Sequence, residues 1–258
     1  MKKMLVMILS IVMVLTAMTA FADAASDKQY VLDKGKLVVG ITDFAPMDYK
    51  NEAGEWIGFD ADIAKAFAAK LGVEVEFVEI DWDNKILELN GQAVDCIWNG
   101  MTLTDAVKNA MECSNPYMNN AQVVVVPVDK ADAYQTIESI ANLSFAAEAG
   151  SAGEAELNAL SLNVTPVATQ ADALMEVAAM TSDAAVIDAL MAAAMIGEGT
   201  NYAGLTYTIG LNSEEYGVGF RKGSDLAAEL NAFFVEAYAD MVAAAEVYGV
   251  QAALIAQK

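Results

Sequence analysis

VDCIWNGMTLTDAVKNAMECSNPY, residues 94–117, is the stretch from which the rest of the chain is read. Val94, Cys96, Ile97 and Trp98 form a short apolar run with the length and composition of a buried strand. Asn99-Gly100 ends it with a turn dipeptide whose glycine tolerates backbone angles that a Cβ resists. Thr102 and Thr104 follow, and Asp105-Ala106-Val107-Lys108 opens a helix that Thr104 can cap while Asp105 suits its positive end. A strand running through a polar turn into a capped helix sets N–H groups and hydroxyls at the C-terminal edge of a sheet, where open α/β sheets hold small ligands. Alone, the segment also fits an ordinary strand-to-helix connection, so its neighbours decide.

Upstream the same grammar repeats. Residues 36–41, KLVVGI, read as a first buried strand, ending in the loop Thr42-Asp43-Phe44-Ala45-Pro46-Met47 that sets an aromatic beside an acid. Residues 58–72, GFDADIAKAFAAKLG, read as a helix, with Phe59, Ile63, Phe67 and Leu71 close to helical spacing, Asp60 and Asp62 in the first turn, and Gly72 as its stop. Residues 73–80 alternate Val and Phe with Glu, the period of a strand with one wet face. Asp81-Trp82-Asp83 lies at its end, before a helix over 84–89. This β-α-β-α-β series predicts a mainly parallel sheet with right-handed crossovers.

VGITDFAPMDY, GFDADIAKAFAAKLGVEVEFVEIDWD and VDCIWNGMTLT…CSNPYM together resemble the extracellular solute-binding proteins of the polar amino-acid type, which feed ABC importers. The resemblance implies an α/β, two-lobed periplasmic-binding-protein fold (type II), each lobe a mainly parallel sheet flanked by helices, the lobes joined by two hinge strands. It places lobe 1 in residues 25–120 with 217–258 and lobe 2 in 121–216, with residues 119–128 carrying the chain across. Within the second lobe, strands are expected at 143–147, 164–167 and 184–187 and helices at 170–180 and 191–196. A glycine-bearing turn at 149–154 opens a further helix, and its N–H groups can meet an anion. Residues 216–220 read as one return strand, and Ser224-Asp225 as the cap of a long helix over 226–247.

Composition narrows the chemistry. A net charge of −22 over 258 residues repels nucleic acid and anionic lipid and draws cations. The absence of histidine removes His-based triads, His-ligated zinc and imidazole switches. Met1-Lys2-Lys3, the apolar residues 4–17 and the small-x-small sites ending at Ala22 and Ala24 predict a secretory signal peptide over residues 1–24. No cysteine lies near the cleavage sites, so the mature chain is expected to be exported, periplasmic or extracellular, without a lipid anchor. Cys96 and Cys113 are expected as two reduced thiols rather than a disulfide framework.

The resemblance places a ligand between Phe44, Trp82, the turn Asn99-Gly100-Met101-Thr102, Val107, Ser151 with its neighbours, and Asp188. In similar amino-acid binders an arginine stands where Val107 is and clamps the α-carboxylate, a hydroxyl residue stands where Ala152 is, and an aspartate matching Asp188 meets the ammonium. Valine cannot supply the bidentate geometry of a guanidinium. Arg221, the only arginine in the sequence, lies at a strand exit and reads as a solvated charge, and Lys108 points away from the face of Val107. Phe44 and Trp82 are expected to face a cationic group, whereas Trp98 and Tyr117 read as packing.

A receptor for a small amino-acid-like or cationic nitrogenous solute is the leading expectation, with an ABC-transporter permease in the membrane as partner, a monomeric state, and no cofactor, metal or nucleic acid. The competing class is an enzyme on the same scaffold, a small-molecule dehydratase or lyase using Glu148, Glu154 or Asp188 as general acid or base. A ligand-sensing module is the third.

Overall fold

The computed structural model describes residues 26–258, so the leader expected over 1–24 lies outside the described residues. Helix α1 (Asp27–Lys34) precedes β1 (Lys36–Ile41), and a hairpin of β2 (Tyr49–Lys50) and β3 (Trp56–Ile57) leads to α2 (Phe59–Leu71) and β4 (Glu74–Glu79). A 3-10 turn over Trp82–Asn84, α3 (Lys85–Asn90), β5 (Cys96–Ile97), α4 (Asp105–Ala110) and β6 (Met111–Cys113) follow. The chain crosses through β7 (Met118–Asn120) into β8 (Gln122–Pro127), then runs α5 (Ile137–Ile140), β9 (Ser144–Glu148), α6 (Ala152–Ala159), β10 (Asn163–Val167), α7 (Gln170–Ala178), β11 (Ala184–Asp188), α8 (Ala189–Met195) and β12 (Leu205–Gly210). It returns through β13 (Glu214–Tyr216) to β14 (Gly219–Arg221), α9 (Leu226–Glu236) and α10 (Tyr238–Val247).

Two five-stranded sheets result, ordered β4-β1-β5-β14-β6 and β10-β9-β11-β8-β12. In the first, β1 pairs parallel with β4 and β5, and β14 runs antiparallel between β5 and β6. The second repeats the plan: β9 pairs parallel with β10 and β11, and β8 runs antiparallel between β11 and β12. Each sheet is therefore parallel apart from one reversed strand, and that strand is the one the chain enters after crossing. The two crossings, β7 and β13, pair antiparallel with Asn120 opposite Glu214.

Helix α2 forms where its apolar stripe demands it. Phe59, Ile63 and Phe67 are buried, Asp60 and Asp62 occupy the first turn, and Gly72 closes the helix at φ 77° with its N–H on the Ala68 and Ala69 carbonyls. Phe67 packs on Phe233 of α9 at 5.4 Å between ring centroids, and Trp98 meets Phe234 at 5.9 Å. Each such ring taken out of water contributes roughly 1.5–3 kcal/mol. Trp98 and Tyr117 are both 1% exposed and belong to this core.

Several details depart from the sequence reading. The single return strand expected over 216–220 is two short strands broken at Gly217-Val218, because the same run must bridge to β7 and then enter the first sheet. The long helix expected over 226–247 breaks at Ala237, whose backbone leaves the helical region at φ −92° and ψ 10°. A helix of that length would span roughly 33 Å, well beyond the roughly 20 Å of a six-residue strand. Helix α1 and strand β12 were not anticipated. Arg221 is not solvated: its side chain is 12% exposed and pairs with Asp27, while Nη1 donates to the Val94 carbonyl at 2.9 Å. The interior position of β14 aims that residue back under the sheet. Cys96 and Cys113 are unpaired. With β14 between their strands they stand about 10 Å apart, beyond disulfide reach.

Gly58 starts α2 at φ 125°, and a Cβ there would lie 2.1 Å from the Met47 carbonyl oxygen, a backbone atom that cannot swing away. Gly58→Ala is expected to cost about 3 kcal/mol or more, read as a lowered urea midpoint against the unaltered protein.

Candidate functional site

The C-terminal ends of strands from both sheets converge on one cavity of about 240 Å³. From the first sheet come Trp82 and Lys85 beyond β4, the turn Asn99-Gly100-Met101-Thr102 beyond β5, and Val107 of α4. The second contributes Glu148 at the end of β9, the turn Gly150-Ser151-Ala152, Gln170 at the start of α7, and Asp188 at the end of β11. Crevices outside the carboxyl ends of parallel strands are where such sheets hold small molecules.

The turn after β5 is held from behind. Asn99 is 3% exposed; its Oδ1 accepts from the Thr42 N–H at 2.9 Å and its Nδ2 donates to Thr42 Oγ1 at 2.7 Å. The Gly100 N–H donates to Asp60 Oδ2 at 2.6 Å, and the Tyr117 hydroxyl donates to the same oxygen at 2.7 Å. Gly100 sits at φ 55°, and a Cβ there would lie 2.4 Å from Phe44 Cε1. Thr102 Oγ1 donates to Glu214 Oε1 at 2.9 Å. Thr104 caps α4 by accepting from the Val107 N–H, and Ser151 caps α6 by accepting from the Glu154 N–H at 3.1 Å.

Seven of the eight residues expected from the sequence surround the cavity: Trp82, Asn99, Gly100, Thr102, Val107, Ser151 and Asp188. Phe44 is not among the lining residues. It is 2% exposed, and its ring meets Tyr216 edge-on at 6.4 Å and backs Gly100. Asp188 makes no side-chain cap to α8. Its Oδ1 accepts from Asn120, from Gln122 Nε2 at 3.0 Å and from the Tyr216 hydroxyl at 2.7 Å, and its Oδ2 accepts from Gln170.

Lys85 was missed. It is 8% exposed, and its Nζ donates to the Trp82 carbonyl at 3.0 Å and, across the gap, to the Gly150 carbonyl at 2.8 Å. The same ammonium lies 4.8 Å from the centre of the Trp82 ring. The signal was available, since a residue three positions after Trp82 at a helix start shares its face. The sequence suggests Glu148 only as an acid for catalysis; it is 3% exposed, and its Oε1 has no hydrogen-bond partner among the described residues.

A family model for bacterial extracellular solute-binding proteins, family 3, matches residues 37–247. The chain belongs to that family. The arginine-binding extracellular protein ArtP of Bacillus subtilis is 28% identical to this solute-binding protein over 205 residues, 77% of this chain and 79% of the relative. Among solved structures, a mutant of ArgBP from T. maritima is similar with a TM-score of 0.80 at 30% identity, over 86% of this chain and 98% of that one. The ancestral amino acid-binding protein AncCDT-1, a precursor of cyclohexadienyl dehydratase, gives a TM-score of 0.79 at 29% identity, over 86% and 99%.

Burial dominates the electrostatics of this binding-protein cleft. It pushes Glu148 up to about 8, helped by the charge of Asp188 and opposed by Lys85. Asp188 is raised to about 7 by burial and then by Glu214, against the hydrogen bonds of Tyr216, Gln170 and Gln122. Asp60 is also raised to about 7 by burial, against the bonds from Tyr117 and Gly100. Lys85 is lowered by burial in spite of Glu148. For the acid and the ammonium alike, desolvation outweighs their mutual attraction.

Between the ordinary carboxyl values of 3.8 and 4.5 and the raised values, the folded chain holds more protons on Asp60, Asp188 and Glu148 than the unfolded chain does. Stability therefore falls as pH rises through that window, by on the order of 1 kcal/mol per pH unit for each retained proton. The urea midpoint of the ligand-free protein is expected to drop steadily from about pH 5 to about pH 8. A flat profile would show these acids already ionised in the fold.

Proposed function

We propose that this chain is the capture receptor of an ABC importer, an exported, unanchored monomer. Its two lobes, residues 25–120 with 217–258 and residues 121–216, close on a small cationic nitrogenous solute and present it to a membrane permease. The solute meets Trp82, the Asn99-Gly100-Thr102 turn, Val107, Ser151 and Asp188, and Phe44 supports Gly100 from behind.

One observation carries the cation preference: Glu148 and Asp188 are buried acids in a single cavity whose lysine, Lys85, is already bound to two backbone carbonyls. Val107 stands at the position where the resemblance sets a carboxylate clamp. Relatives named for arginine bring amino-acid-like solutes into view, and the aliphatic residue at 107 argues for one whose carboxylate is absent or blocked. A desolvated carboxylate left without charge-assisted donors would forfeit about 1.5–3 kcal/mol for each bond not made.

Non-catalytic capture is preferred to turnover. Glu148 has the raised acidity of a proton donor, which is what favours the enzyme reading. Lys85, its neighbour of opposite charge, gives protons to carbonyls of both lobes and is poorly placed to act as a base. Native mass spectrometry after incubation with a metabolite extract is expected to show one solute retained unchanged at one equivalent; release of a chemically altered product would establish an enzyme.

A thermal-shift panel tests the solute class. Primary amines and amino-acid amides or esters are expected to raise the melting temperature, and ordinary free amino acids to leave it nearly unchanged. Val107→Arg is expected to reverse that order, improving free amino acids by about tenfold or more through restored bidentate pairing. Stabilisation of the unaltered protein by free amino acids and by no amine would overturn the cation preference while leaving the receptor.

A further inference from the structure

The two acids of the cleft are not equivalent. Asp188 receives four neutral donors, from Asn120, Gln122, Tyr216 and Gln170. Glu148, equally enclosed at 3% exposure, lines the same cavity with Oε1 empty. Lys85 does not reach that oxygen: two of its three N–H groups go to the Trp82 and Gly150 carbonyls, and it makes no ion pair with Glu148. A buried oxygen of this kind is satisfied by a proton or by an incoming donor.

We propose that Glu148 is the specificity-determining acid of this cleft, its Oε1 receiving a protonated nitrogen of the solute, while Asp188 serves chiefly to hold the donors around it. This rests on the receptor reading and sharpens it: the solute must place an N–H⁺ group at the end of β9, opposite Lys85.

A thermodynamic consequence follows from what surrounds the carboxyl. Burial, then Asp188 on β11 and Asp172 on α7, favour its protonated form, and Lys85 on α3 and a hydrogen bond from Gln170 oppose them more weakly. Glu154 of α6 accepts from the Gly150 N–H at 2.7 Å, next to the Lys85 contact. The free cleft thus carries a proton on Glu148 near neutrality, and a bound cation displaces it. Affinity rises with pH across the window in which Glu148 would otherwise be protonated, up to about 8. Asp188, raised to about 7, contributes below that, so the upper part of the window isolates Glu148.

The test uses the mature chain, with agmatine and pentane-1,5-diamine as probes, both of which keep protonated nitrogens from about pH 7 to about pH 8.5. Isothermal titration is expected to show affinity increasing severalfold over that range, with proton release revealed by buffers of different ionisation heat. Glu148→Gln keeps the shape and a hydrogen bond but removes the charge. It is expected to weaken the better probe by on the order of tenfold or more at about pH 8, to abolish the pH dependence above about pH 7, and to leave the melting temperature of the free protein unchanged or higher. Equal, equally pH-dependent binding by E148Q and the unaltered protein overturns the role of Glu148 and leaves the receptor reading standing. Binding of a neutral or anionic solute with no response to either amine overturns both. Should E148Q fold poorly, pH-independent binding without proton release by the unaltered protein refutes the proposal on its own.

Discussion

A carboxylate removed from water must find a countercharge, a set of donors, or a proton, and this molecule uses each of these solutions. Asp95, fully buried, takes the countercharge, with Lys34 Nζ at 2.6 and 2.7 Å, Arg221 at 3.6 Å and the Val38 N–H at 2.7 Å. Asp60 takes donors, the Gly100 N–H and the Tyr117 hydroxyl, and in doing so fixes the turn at the cavity wall. Asp48 is fully buried with neither oxygen partnered, and burial followed by the charge of Asp60 holds its carboxyl well above the ordinary range, so it keeps its proton. Asp188 takes donors again, four of them. Only Glu148 and Asp188 among these line the cavity, and of the two only Glu148 keeps an oxygen that no donor meets.

The donors around Asp188 also belong to the crossing between the lobes. Asn120 Nδ2 and Gln122 Nε2, at the end of β7 and the start of β8, each give protons to both Asp188 and Glu214. Glu214 on the return crossing further accepts from Thr102 Oγ1 and from Asn212 Nδ2 at 2.8 Å. The two carboxylates are thus tied through shared amides to both crossing strands and to one wall of the first lobe. A separation of the two sheets around β7 and β13 that moved Thr102 from Glu214 would lose a bond worth on the order of 1 kcal/mol net. On the proposed reading, occupancy of the cleft alters the charge carried by this network and so biases lobe closure.

Much of this was legible because local rules and tertiary placement agree. KLVVGI, the Phe59-to-Gly72 helix and the alternating strand after it were bounded within a residue or so, since apolar period and glycine stops coincide there. The turn after β5 and the Thr104 cap were readable for the same reason. What stayed hidden depended on partners remote in sequence. Phe44 looks like a ligand aromatic in its loop, and only the fold shows it filling the space that glycine leaves at position 100. Arg221 looks solvated at a strand exit until β6 closes beside β14 and the start of α1 brings Asp27 within reach. Lys85 gives no local sign of a role in the cleft, because its acceptor at Gly150 belongs to a turn of the second sheet. β12 carries the alternation LTYTIG and was open to a closer reading; α1, between Ser26 and Gly35, likewise shows both of its caps in the sequence.

Lys85 puts a positive charge on the cavity wall that Val107 also lines, but not one equivalent to a guanidinium. A guanidinium offers a planar fork to a carboxylate, whereas an ammonium is a compact point charge on a flexible stem. Here that point charge is spent between Trp82 and Gly150, one carbonyl from each side of the gap, and it covers the indole face. Two of its three N–H groups are taken by those carbonyls, so it offers a solute carboxylate a single hydrogen bond where a guanidinium would offer two. On the proposed reading, a cationic group in contact with Glu148 relieves the desolvated acid and leaves both Lys85 bonds in place. With 36 acidic against 14 basic side chains in the chain, the long-range field draws cations, the sign of solute proposed for the cleft. Under that proposal, attraction at a distance and selection at the site would act on one property, the protonated nitrogen.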